Sequence, residues 1–201
     1  MSQNFFAMMH RMRYINRWGL MRNTDPENIQ EHSLQVAIIA HALAVLRNQY
    51  YAPGRIAVDE GLVALLAIYH DAGEILTGDL PTPVKYFNPA IRDSYKAVES
   101  VATAKLLSML PDDLAPAWRP LLEPDLQDPA VKEAMRLVKA ADRISACIKC
   151  LDEEKSGNSE FRQAARATRA SLEEIAADLP EVRHFVDHFL PSFRLSLDEL
   201  Q

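Results

Sequence analysis

Apolar residues recur at helical spacing along almost the whole of this chain, while the alternation of β-branched residues that marks strands is nearly absent. Glycine, on which tight turns between strands lean, occurs only six times in 201 residues. The pattern predicts an all-α fold, and the length suffices for one domain, residues 1–201, with a full hydrophobic core. Apolar residues make up 48% and charged residues 25% of the chain, as in an ordinary soluble globular protein.

The spacing divides the chain into segments. Phe5, Met8, Met9 and Met12 give a short first helix, followed by a loop through Asn23-Thr24-Asp25-Pro26. A long apolar helix is predicted from about Ile29 to Asn48, and Pro53-Gly54 breaks the chain after it. Asp59 can cap a helix striped by Leu62, Leu65, Leu66 and Tyr69 that ends near Gly73. Leu76 to Asn88, with Gly78, Pro81 and Pro83, reads as an ordered loop. A helix from about Asp93 to Met109 precedes a Pro-rich connection from Pro111 to Asp128. Asp128-Pro129 then opens a helix running through Val131, Met135 and Val138 to Leu151. An Ala-rich helix from Ser159 to about Leu179 stops at Pro180, and a last short helix precedes Pro191.

The formal net charge of −6 gives no sign of a nucleic-acid polymer as partner. The first 18 residues hold no continuous apolar run, so they read as neither a secretory signal nor a membrane span. No other stretch approaches the roughly 20 apolar residues a span requires. Cys147 and Cys150, the two cysteines, stand three apart in a helical segment with no βαβ context and no second cysteine pair. They read as thiols packed in the core rather than as a redox or zinc motif. A cytoplasmic protein is expected.

Three separated elements carry metal-ligand chemistry: His32, the doublet His70-Asp71, and Asp142. Two imidazoles and two carboxylates suit one divalent cation with room left for water. Asp142 falls within about 40° of Val131, Met135 and Val138 on a helical wheel, so it lies in an apolar stripe. A carboxylate there costs several kcal/mol unless it is neutralised. Lys139 or Arg143 could do this as a salt bridge, but a cation explains all three elements at once. His32 alone could be a surface or capping residue. His70 and Asp71 occupy the end of an apolar helix, where Ala72 and Gly73 leave space. None of the other histidines (His10, His41, His184 and His188) lies between His70 and Asp142. On a straight helix His41 points roughly 180° from His32. His184 and His188 form an i, i+4 pair without a third neighbour and read as surface residues.

The words around these residues are more specific. They are Ile15-Asn16-Arg17-Trp18, Glu31-His32-Ser33-Leu34-Gln35, Tyr69-His70-Asp71-Ala72-Gly73-Glu74, Thr77-Gly78-Asp79-Leu80-Pro81-Thr82-Pro83-Val84-Lys85 and the closing Pro191-Ser192-Phe193-Arg194. Over nearly its whole length the chain resembles the bacterial HD-domain 5'-deoxynucleotidases of the YfbR type. Dinuclear HD phosphodiesterases place additional histidines between the doublet and the last aspartate, so the resemblance is to enzymes with a single ion.

That resemblance implies an all-α HD-domain bundle with a central divalent-metal site. The implied reaction is hydrolysis of deoxyribonucleoside 5'-monophosphates to deoxynucleoside and phosphate, selective against ribonucleotides and broad for base. By the same resemblance His32, His70, Asp71 and Asp142 hold one cation (cobalt, manganese or copper), and Glu74 is the catalytic carboxylate. Arg17 orients the phosphate, Trp18 lies beside the nucleotide, and Asp79, Leu80, Pro81 and Thr82 line the pocket, with His32 and Asp71 close to substrate. The family also implies a homodimer.

Elementary chemistry points the same way. A monoester dianion requires charge neutralisation and a nucleophile at neutral pH, which one cation can support. Glu74, three residues after Asp71, can orient or deprotonate a water if the helical turn continues. Arg17 offers a planar fork to phosphate. Taken singly, Glu74 reads equally as a solvated acid, Arg17 as a surface cation and Trp18 as core. A hydrolase of guanosine tetraphosphate would carry an acidic pair where this chain has Glu74-Ile75. A non-catalytic HD module used as a sensor is the alternative of a different class. A purely structural role has only the Ala-rich segment from Ala164 to Ala177 in its favour.

Overall fold

A computed structural model of the chain describes residues 3–85 and 87–201. Ten α-helices lie among them: α1 (Phe5–Met9), α2 (Ile29–Tyr50), α3 (Glu60–Tyr69), α4 (Glu74–Thr77), α5 (Thr82–Lys85), α6 (Pro89–Leu107), α7 (Ala115–Leu122), α8 (Pro129–Lys155), α9 (Arg162–Asp178) and α10 (Pro180–His188). The described residues contain no strand, and the one β-bridge joins Asn16 to Asn28.

The two long helices form the frame. Asn28 starts α2 with a capping box: its side chain accepts from Gln30 and Glu31, and the Glu31 carboxylate returns to the Asn28 backbone. Asp128 and Pro129 start α8 as cap and first-turn residue. α2 packs against α3, α8 and α10, and α8 also packs against α9. Val36, Ala40 and Leu43 of α2 share one core with Val63 and Leu66 of α3, Val138, Ala141 and Ile144 of α8, Leu172 of α9 and Phe185 of α10.

α2 is also long and apolar enough to cross a membrane by length and composition, with mean hydropathy 1.3. The expectation that no stretch approaches that measure therefore fails for α2. Its apolarity has another cause: the helix runs through the middle of the bundle, and it buries His32, Ser33 and Arg47 as well as its aliphatic residues.

Both predicted loops contain helix. α4 and α5 interrupt the segment 76–88, and α7 occupies 115–122 within the Pro-rich connection. Pro116 stands in the first turn of α7, where a missing N–H costs nothing. α6 begins at Pro89 rather than Asp93, because Asn88 accepts from Ile91 N–H and caps it. The first helix is shorter than expected, turning into a 3-10 segment at His10. Both cysteines are buried free thiols on α8, as expected.

Candidate metal and substrate site

Three helices deliver the polar cluster. His32 lies in the first turn of α2 and is 1% exposed. α3 ends at Tyr69, and the turn that follows carries His70 and Asp71. Asp142 comes from the middle of α8. Ligand atoms of His32, His70 and Asp142 lie within 4.8 Å of one another. His32 Nε2 is 3.2 Å from Asp142 Oδ1 and 3.6 Å from Asp71 Oδ2, and His70 Nε2 is 3.1 Å from Asp71 Oδ2.

The outer nitrogen of each ring decides what the inner one can do. His70 Nδ1 is 2.7 Å from the Ala67 carbonyl, so it must donate there. His32 Nδ1 is 3.1 Å from Ser145 Oγ, whose own proton goes to Gln35 Oε1 at 2.5 Å. Ser145 must therefore accept from His32. When neutral, both rings thus turn an Nε2 lone pair inward, and neither buried Nε2 makes a hydrogen bond of good geometry. Such tautomer control by outer partners is how metal-ligating histidines are usually held. Neither Lys139 nor Arg143 ion-pairs with Asp142 among the described residues; its partner is His32.

The electrostatics follow from crowding charges in a half-buried site. Burial disfavours the charged form of His70, but Asp71 and then Asp142 outweigh it and push the pKa up to about 9. Burial likewise works against the Asp71 carboxylate, yet His70, His32 and Arg17 hold its pKa well below the usual range. Asp142 is lowered despite burial, by the His32 ring 3.2 Å away. Glu74 goes the other way. Burial, with Asp71 and Asp79 beside it, pushes its carboxyl up to about 9. Its Oε2 is buried and unpartnered. Glu74 N–H bonds to the Asp71 carbonyl at 3.0 Å, so the turn does continue and both acids share one side. Asp79 is raised, first by burial, with Arg17 opposing.

Arg17 reaches this cluster from the N-terminal segment, with Nη1 3.4 Å from Asp71 Oδ2 and Nε 2.9 Å from Glu27 Oε2. Trp18 is half-buried, its ring centroid 5.2 Å from that of Phe161. Its backbone N–H faces Asp79 and works against the upward shift of that carboxyl. Leu80 and Pro81 are half-buried in the turn before α5. The side chain of Thr82 lies outside the described residues. His41 is exposed, and the His184 and His188 rings pair with each other at 4.7 Å, near Tyr50 and Tyr51.

Three residues of the site were not anticipated: Glu27, Ser145 and Gln35. Ser145 carried a usable signal, since it falls one turn after Asp142 on the buried face of α8. Glu27 sits in an irregular loop where periodicity says nothing.

Residues 4–193 match the family model described as 5'-deoxynucleotidase YfbR-like. The 5'-deoxynucleotidase VP0926 of Vibrio parahaemolyticus is 47% identical over 199 residues, 99% of this chain and 98% of that one. The 5'-deoxynucleotidase YfbR of Salmonella typhi is 48% identical over 99% of this chain and 96% of its own. Among solved structures, an HD-domain phosphohydrolase (lin2634) from Listeria innocua superposes with TM-score 0.78 at 22% identity, covering 94% of this chain and 88% of that one. The cyanophage S-2L HD phosphohydrolase DatZ, bound to dA and one catalytic zinc ion, superposes with TM-score 0.59 at 19% identity over 92% of this chain and 96% of its own. These two likenesses establish the HD fold.

Proposed function

The chain belongs to the 5'-deoxynucleotidase YfbR-like family, and from that premise we propose how its residues divide the work. It is a metal-dependent phosphomonoester hydrolase that converts deoxyribonucleoside 5'-monophosphates to deoxynucleoside and phosphate. His32, His70, Asp71 and Asp142 hold one divalent cation. The observation that carries this assignment is the pair of buried, unpartnered Nε2 atoms facing two carboxylates. Cobalt, manganese or copper are the cations we expect, and a mixed nitrogen and oxygen donor set suits any of them.

A bound divalent cation supplies the positive charge that polarises the phosphoryl oxygens and eases deprotonation of the attacking water. Arg17 presents its Nη face to the phosphate. Glu74 accepts the water's proton at its carboxylate. Its pKa of about 9 is set by burial and the neighbouring acids, so positive charge in the site moves it down toward the working range of a general base. Asp79 contacts the sugar through the 3'-hydroxyl, and Trp18 crowds the position of a 2'-hydroxyl. Leu80 and Pro81 complete the pocket wall, and base preference is broad.

The remaining features also belong to this reading. We take residues 1–201 as one HD domain, supported by a core that α2, α3, α8, α9 and α10 share. A homodimer is supported by large apolar side chains left exposed on α2 and α3, including Leu34, Ile38 and Leu65. Two free buried thiols fit a reducing cytoplasm.

The test is phosphate release from dAMP and AMP in parallel, with cobalt or manganese and with chelator. Metal-dependent release from dAMP alone is expected. Equal release from both nucleotides removes the Trp18 selectivity argument, and no release with any metal overturns the substrate reading.

A further inference from the structure

One carboxylate oxygen reaches both N-terminal residues that the reading above gives to the substrate. Glu27 Oε2 accepts from Arg17 Nε at 2.9 Å and from the Trp18 indole Nε1–H at 3.0 Å. From these contacts we infer that Glu27 is a positioning residue: it fixes the Arg17 fork and the Trp18 ring in one arrangement, and so sets phosphate affinity and sugar discrimination together. The inference rests on the assignment of Arg17 and Trp18 as phosphate and sugar contacts.

Glu27 can act this way because its own backbone is held. Arg17 N–H donates to the Glu27 carbonyl at 2.9 Å, Asn16 bridges to Asn28, and Ile29 N–H donates to the Ile15 carbonyl at 3.0 Å. Just upstream, the N–H groups of Thr24 and Asp25 both donate to Glu153, which is 1% exposed and also bonded by Lys149 and Asn158. The loop from Trp18 to Glu27 is thereby anchored to α8 at its middle and to the preceding strand-like segment at its end.

Trp18 needs such a partner. Its φ of +59° is a left-handed conformation, the single non-glycine case among the described residues. A bulky residue there is strained and persists only when its surroundings enforce it. Phe161 holds the ring face and Glu27 holds the ring edge. Indole has one hydrogen-bond donor and no acceptor. With that donor committed to Glu27, Trp18 acts on a sugar by shape alone.

Arg17 is divided in the same manner. Its Nε belongs to Glu27 at 2.9 Å, whereas Nη1 makes a looser 3.4 Å contact with Asp71. Glu27 therefore keeps the guanidinium in place while the Nη face exchanges Asp71 for a phosphate. Both side chains of this pair are 13% exposed, so the interaction is drier than a surface ion pair.

The test uses full-length, metal-loaded Glu27→Gln and Glu27→Ala. Gln keeps an acceptor oxygen without the charge, and Ala removes both. The first readout is the indole ¹⁵N–¹H resonances of the zinc-loaded protein. Trp18 should shift in both variants, while Trp118, which donates to Tyr69 Oη, should not. The second readout is cobalt-supported kinetics with dAMP and AMP. Loss of a charge-assisted hydrogen bond predicts a KM for dAMP about tenfold higher in Glu27→Gln and higher again in Glu27→Ala. The dAMP-to-AMP preference should narrow by a similar factor, with kcat changing less than KM. A merely structural role would lower kcat and thermal stability and leave the preference intact. If the Ala variant does not fold, the Gln variant decides. An unmoved Trp18 resonance, or an unchanged preference, overturns the inference. If the parent releases no phosphate from either nucleotide, the substrate reading falls, and the Trp18 resonance alone then judges whether Glu27 holds the ring.

Discussion

His32 and Arg47 lie on the same helix, about 22 Å apart at 1.5 Å rise per residue, and both are almost fully withdrawn from solvent. Arg47 is surrounded by its complement. Its Nε and Nη2 meet Glu181 Oε1 at 2.8 and 2.6 Å, its Nη1 meets Glu133 at 2.8 Å, and Arg55 takes the other Glu181 oxygen at 2.8 Å. This cluster ties α2 to α8 and α10 with charges of both signs. At the other end both histidine Nε2 atoms and one Glu74 oxygen lack a hydrogen bond, as Arg47 Nη2 also does, but there four acids (Asp71, Glu74, Asp79 and Asp142) face one arginine, Arg17. Buried charges need a counter-charge, so this difference in balance separates a cluster that staples helices from one completed by a cation.

Four substitutions and a pH series sharpen or break that contrast. Asp142→Asn should have the largest effect on catalysis, lowering phosphate release on the order of 10³-fold by removing several kcal/mol of transition-state charge stabilisation. The chelated variant should melt close to the chelated parent. Arg47→Met should do the reverse, costing up to about 3–5 kcal/mol in urea denaturation because it leaves the fully buried Glu181 with Arg55 alone, while the folded fraction keeps its kcat/KM. Ser145→Ala removes the acceptor that orients His32, and should weaken metal affinity by about 10–100-fold, measured by titration calorimetry. If Ser145→Ala left affinity unchanged, the tautomer argument would be wrong.

The pH series concerns the chelated protein. His70 is raised from 6.5 to about 9, so the folded state holds a proton that the unfolded chain releases. The resulting stability is fully present below pH 6.5 and is lost as pH rises through about 9. Glu74, raised from 4.5 to about 9, adds to the same trend. Chelated protein should therefore lose melting temperature from pH 6.5 to 9, and metal-loaded protein should lose less. The smallest effect belongs to Glu123→Gln on the exposed pair with Arg119, expected within about 0.5 kcal/mol and without influence on activity.

The catalytic end was far more legible in sequence than the structural one. His70-Asp71 and Asp142 stand out because polar residues interrupt the apolar stripes of their helices, and periodicity registers such interruptions. Arg47 gave no such signal, since one arginine near the end of a long helix looks like a solvated cation until the fold supplies Glu133 and Glu181 from α8 and α10. Glu27 was hidden for a different reason: its contacts depend on a loop conformation set by Trp18 and Glu153, and no spacing encodes that. The fold class followed from helical periodicity, whereas α7 was missed because its prolines read as breaks, although Pro116 sits in a first turn that tolerates it.

The most direct test of the central contrast is the number of divalent cations bound per chain, by elemental analysis of dialysed parent, Asp142→Asn and Arg47→Met proteins. One ion per chain in the parent and in Arg47→Met, and none in Asp142→Asn, is the expected result. Retention of the ion by Asp142→Asn, or its loss from folded Arg47→Met, would contradict the division of α2 into a metal-binding end and a stapling end.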